Sequence, residues 1–132
     1  MKNLANCAPT EFMKQCVKLR APFAAWLEKT GISEIRKRRP EGYDEMTDAE
    51  KAEAIRIQGA ENMGDIIAAA LEKDFDGTVE IMALCTFTDP KDIDAHPMSE
   101  YLDAIMEMFN SEAVRGFFMY YMKPKPVTSS KG

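Results

Sequence analysis

The residues from which catalytic and metal sites are usually built are scarce in this chain. It has one histidine, three cysteines and seven glycines in 132 residues. His96 has no histidine partner and precedes Pro97 at a helix entrance. Zinc coordination, a histidine–cysteine dyad and a serine triad therefore find no support, and His96 reads as structural or solvent-facing. Cys7, Cys16 and Cys85 are odd in number and lack CxxC spacing, and no secretory apolar segment opens the chain. Free thiols in a reducing cytoplasm are the expectation. Neither GxGxxG nor GxxxxGK[ST] occurs, so no phosphate cradle is expected. The acidic clusters Asp74/Asp76 and Asp89/Asp92/Asp94 miss the spacing and closing glutamate of a calcium loop. No metal, cofactor or catalytic residue is assigned.

Long apolar runs are also missing. Ile66–Leu71 and Phe117–Met122 extend for six residues each, against about 20 for a membrane span. The composition is 45% hydrophobic and 30% charged, which suits a globular fold, and the length suits one domain. A net charge of -5 opposes non-specific attraction to nucleic acid or anionic membranes.

Helical periodicity runs through the sequence. Phe12, Cys16, Leu19, Phe23 and Trp26 recur at spacings of three and four after Thr10, a candidate N-cap. Pro22 predicts a kink or a fresh helix start, and Gly31 a helix end. Ile32 and Ile35 can anchor a short turn, and residues 40–46 read as loop. Thr47-Asp48-Ala49-Glu50 fits a capping box, predicting a helix over 48–73. Its apolar stripe would be Ala52, Ile55, Gly59, Met63, Ile66, Ile67, Ala70 and Leu71. Thr78–Thr86 is read as helix, with a buried strand as the alternative. Thr88 is a candidate N-cap of a short turn. Tyr101, Leu102, Ile105, Met106 and Phe109 mark an amphipathic helix over 97–109, followed by another through Val114, Phe117, Phe118 and Tyr121. The expected fold is all-α: an irregular orthogonal bundle of five or six helices over 9–122, a flexible segment 1–8, and a flexible, disordered C-terminal tail over 123–132.

Two features point to partners. Arg36, Lys37, Arg38 and Arg39 form the one dense basic run. It can face solvent, an acidic protein or nucleic acid phosphates, and the overall charge favours the first two. The second feature is "FFMYYM" at 117–122. One helix face cannot bury six consecutive large side chains, so either this helix is enclosed all round or Phe117, Phe118, Tyr120, Tyr121 and Met122 meet a partner. Ten methionines supply adaptable apolar contacts that suit the second reading.

The stretches "ANCAPTEFMKQCVKLR", "WLEKTGISEIRKRRP", "MTDAEKAEAIRIQGAENMGDIIAAALEKD" and "MSEYLDAIMEMFNSEAVRGFF" resemble the tail assembly chaperones of long-tailed bacteriophages and of prophages of gut Firmicutes. The likeness spans roughly residues 3 to 122. It implies a non-enzymatic protein of the host bacterial cytoplasm, absent from the mature virion. Such a protein coats the tape measure protein, self-associates and helps recruit tail tube subunits. It also implies that a frameshifted longer form can exist. The resemblance carries over no individual site residue. Two other readings stand beside it: a nucleic-acid-binding phage regulator acting through Arg36–Arg39, and a structural head–tail or tail-completion protein.

Overall fold

A computed structural model describes residues 1–122, with side chains through Tyr120. The expected tail over 123–132 and the side chains of Tyr121 and Met122 lie outside the described residues. Six α-helices account for most of the rest: α1 (Pro9–Thr30), α2 (Ile32–Arg36), α3 (Asp48–Lys73), α4 (Phe75–Cys85), α5 (Met98–Phe109) and α6 (Glu112–Met122). Short 3₁₀ segments occupy Tyr43–Glu45 and Pro90–Ala95. No strand occurs among the described residues, so the fold is all-α and the strand alternative for 78–86 is set aside. No helix among them is long and apolar enough to cross a membrane.

The chain divides into two compact units. One comprises Met1–Arg20 with the residues from Met82 onward, and the other Ala21–Ile81. The chain passes between them within α1 and again within α4.

The first unit is built on Leu4, Leu19, Ala83, Cys85, Tyr101, Ala104, Met108 and Val114, all buried. Residues 1–8, expected to be flexible, contribute to it. Asn3 is fully buried. Its Nδ2 donates to Glu107 Oε1 on α5 at 3.0 Å, while its Oδ1 accepts from the Ala5 amide at 2.7 Å. The Leu4 amide donates to the Cys85 carbonyl at 3.2 Å. A buried amide side chain is tolerated because its polar atoms are satisfied. Gln15 of α1 follows the same logic, donating to the Leu84 carbonyl at 2.6 Å.

The second unit buries Phe23, Ile32, Ala69, Ala70 and Ile81. Trp26 stacks on Phe23 with ring centroids 5.7 Å apart. Its indole N–H donates to Thr78 Oγ1 at 2.8 Å, and that hydroxyl lies 2.7 Å from the Ala70 carbonyl, to which it donates. Ala70 sits in the last turn of α3, where carbonyls have no intrahelical partner. One threonine thus ties α1, α3 and α4 together. α2 packs on α3, where the buried Asn62 donates from Nδ2 to the Arg38 carbonyl at 3.3 Å and accepts from Gln58 at 2.9 Å.

The helix boundaries follow local chemistry. α3 starts with the expected capping box: the Glu50 amide donates to Thr47 Oγ1 at 3.3 Å and the Thr47 amide to Glu50 Oε1 at 2.9 Å. α1 ends at Gly31, whose φ of 70° is the left-handed conformation that glycine adopts without penalty. Three expectations are revised. Of the two alternatives for Pro22, the fresh helix start is set aside, since α1 continues through it with Phe23 buried directly after it. Thr10 lies inside α1, and the side chain of Glu11 reaches back to accept from the Ala8 amide at 3.1 Å. Asp89, not Thr88, caps the 3₁₀ segment, its carboxylate accepting from the Lys91 amide at 3.0 Å.

Candidate interaction surfaces

The end of α6 divides its aromatic residues between cover and exposure. Phe117 and Phe118 are half-buried and meet edge to face at 5.2 Å, the geometry favoured by ring quadrupoles. Tyr120 is 74% exposed and Met119 is also exposed. The helix is therefore not enclosed all round over these residues, while Tyr121 and Met122 fall outside the described side chains.

The basic run is brought together in space with acids and an aromatic ring. Lys37 pairs with Glu34 at 3.3 Å, and Arg38 with Asp65 of α3 at 2.6 Å. Arg39 stands over the Tyr43 ring at 5.9 Å, with Lys51 Nζ also 5.2 Å from that ring. Arg36, at the end of α2, is exposed, as are Lys37, Arg38 and Arg39. Part of this charge is thus turned to the fold of the second unit, with Arg38 tying α2 to α3.

Uncovered apolar rows also lie on α3 and α5, along the stripes that the sequence reading traced. On α3, Met63, Ile67 and Leu71 recur every fourth residue and are each more than half exposed, and Ile55 and Ile57 are exposed as well. Ala52 and Gly59 of the expected stripe are exposed too, and of that stripe only Ala70 is buried and Ile66 half-buried. The buried face is rotated toward Asn62, Ala69 and Ala70. On α5, Tyr101, Ala104 and Met108 are buried, while Met98, Leu102, Met106 and Phe109 form a row that is more than half exposed throughout. Of the residues read as marking this amphipathic helix, Tyr101 is buried and Ile105 half-buried, and Leu102, Met106 and Phe109 are exposed. A usable signal was present in the breadth of these patterns, since each helix carries more apolar residues than one face can bury.

The lone histidine and two of the cysteines sit in structural surroundings. His96 Nδ1 lies 2.9 Å from Glu100 Oε2 in the first turn of α5, and its ring meets Tyr101 edge-on at 6.1 Å. Cys85 is buried, and its thiol is pushed up to about 12, chiefly by desolvation and secondarily by Cys16. Burial likewise raises Cys16. Neither thiol has the thiolate character of a nucleophile. Among the described residues, no group of three or more histidine, cysteine or acidic side chains could hold a metal ion. No protein-family model matches this chain, nor does any curated protein or solved structure.

Proposed function

We propose that this protein is a non-enzymatic assembly chaperone of a bacteriophage tail. It shields the tape measure protein in the bacterial cytoplasm and helps bring tail tube subunits to it. The observation that supports this reading is the uncovered apolar row on α3, Met63, Ile67 and Leu71. A row at helical spacing fits the apolar stripe of a partner helix. Gly64 borders the row, and nothing lies within 4 Å of where a side chain would begin there, so a partner backbone can approach along that edge. The flexible thioether of Met63 and the methionines of α5 suit contacts that must form and later be released. The partner's identity comes from the sequence resemblance.

Co-expression tests the proposal. The tape measure protein of the same phage is expected to stay soluble with the parent chain and to precipitate with Ile67→Glu/Leu71→Glu. Both positions are exposed, so the variant is expected to fold as the parent does, with changes within about 0.5 kcal/mol. Equal solubilisation by parent and variant would remove the α3 row from the role, and no solubilisation by either would remove the role. Purified particles containing this chain would favour a structural tail-completion protein. Strongly salt-dependent DNA or RNA binding abolished by replacing Arg36–Arg39 would favour the regulator.

A further inference from the structure

Charge is segregated within the first unit to a degree that its net value conceals. From Phe12 to Leu27, α1 carries Lys14, Lys18 and Arg20 and no acid. Between Lys91 and Arg115 the chain carries Asp92, Asp94, Glu100, Asp103, Glu107 and Glu112 and no lysine or arginine. Each of these stretches also has an uncovered apolar row. On α1 it is Met13 and Val17, one turn apart and both well exposed. At 100° per residue, Lys14 and Lys18 border that row on one side and Arg20 on the other. All three are exposed. On α5 it is Met98, Leu102, Met106 and Phe109. Asp103 stands at its outer edge, and Glu107 and Glu100 continue the helix's polar face beyond.

We infer that these two faces are halves of one contact, in which the basic-rimmed row of α1 on one copy seats on the acid-bordered row of α5 on the next. Other pairings of the same faces are penalised. α5 against α5 would bring Asp103 and its neighbours toward their own equivalents, and α1 against α1 would do the same with lysines. Only α1 against α5 buries apolar side chains on both sides while opposing unlike charges. Formed twice between the same two copies, with each α1 on the other's α5, the contact closes as a two-fold dimer; formed once, it leaves an α1 face on one copy and an α5 face on the other. Where the two faces of one copy meet different neighbours, association passes beyond the dimer and closes as a ring or continues as a filament according to the rotation between copies. The inference deepens the assembly reading above and rests on it for biological purpose, while its geometry stands on the two faces alone.

The test uses the full chain under reducing conditions, without any partner, in sedimentation velocity and light scattering across micromolar to millimolar concentration. Lys14→Glu/Lys18→Glu disables the α1 face, and Leu102→Asn/Met106→Gln disables the α5 face without adding charge. The parent is expected to self-associate, to a two-fold dimer or beyond. Each variant alone is expected to associate at least about tenfold more weakly, or ~1.4 kcal/mol. Mixed in equal amounts, the variants are expected to form a 1:1 complex and stop there, because one intact α1 face and one intact α5 face remain between them. A monomeric parent overturns the inference. So do variants that associate as the parent does, or a mixture that stays monomeric or grows past 1:1. Thermal melts check folding, and Val17→Asn and Leu102→Asn replace any double variant that melts early. Failure here leaves the co-expression result untouched, so the contact and the chaperone role are judged separately.

Discussion

Replacing Thr78 with valine keeps the shape of the side chain and removes its hydroxyl, and the structure predicts a large cost for so small a change. The hydroxyl accepts from Trp26 Nε1 at 2.8 Å and lies 2.7 Å from the Ala70 carbonyl, its acceptor. Valine leaves both partners unpaired at a half-buried site, at about 1 kcal/mol each and ~2 kcal/mol together. A chain of this length has an unfolding entropy of roughly 0.28 kcal/mol per kelvin, so the melting temperature should fall by about 7 °C. Thr78→Ser retains the hydroxyl and should lose less than half as much. The pairwise term comes from a cycle with Trp26→Phe, which keeps an aromatic ring but has no N–H. Thr78 and Trp26 should couple by about 1 kcal/mol when urea unfolding is followed by far-UV circular dichroism. Trp26 is the single tryptophan, so its fluorescence in the Thr78 variants separately reports the Ala21–Ile81 unit. A valine variant as stable as the parent, with coupling below about 0.3 kcal/mol, would refute the idea that this hydroxyl joins three helices.

Two further perturbations follow from particular bonds. Thr47→Ala should cost about 1 kcal/mol by removing the acceptor for the Glu50 amide, whereas Glu50→Gln keeps the reciprocal bond and should cost only a few tenths; equal losses in urea titrations would contradict the capping box. For Cys85, the folded-state pKa is raised from an ordinary 9.0 to about 12. The folded protein therefore holds this proton more tightly than the unfolded chain, so its contribution to stability is complete below pH 9 and is lost between pH 9 and 12. The loss approaches ~4 kcal/mol at most. Cys85→Ala should flatten that part of the stability–pH curve, and an unchanged slope would show that other groups set it.

The sequence reading succeeded at the boundaries of α3 and the end of α1, where the determining chemistry is local, missed the local caps by a residue or more at Thr10 and Thr88, and failed where a choice between faces had to be made. The box from Thr47 to Glu50, the stop at Gly31 and the α3 span of Asp48–Lys73 are set by neighbours within one turn, so a short window contains everything that fixes them. Which side of α3 is buried is a different kind of fact. Asn62 lies on the buried side because Arg38, 24 positions away, offers its carbonyl and Gln58 offers an N–H. A hydrophobicity pattern has no way to favour an asparagine over Met63 next to it. The same reason hid the exposed apolar rows. Tyr101 is on the buried side of α5 and can be there because its hydroxyl donates to the Ile93 carbonyl at 2.8 Å, and small Ala104 lets that side pack closely. Leu102 and Met106, more obviously apolar, are then carried round to the outside by the 100° step of the helix. The N-terminal segment escaped notice for a related reason: Asn3 looks like a loop residue until Glu107 is brought beside it. In each case a polar side chain with a distant partner decided the rotation of a helix or the seating of a segment. The apolar residues displaced outward on α3 and α5 then became the surface on which the functional proposals rest.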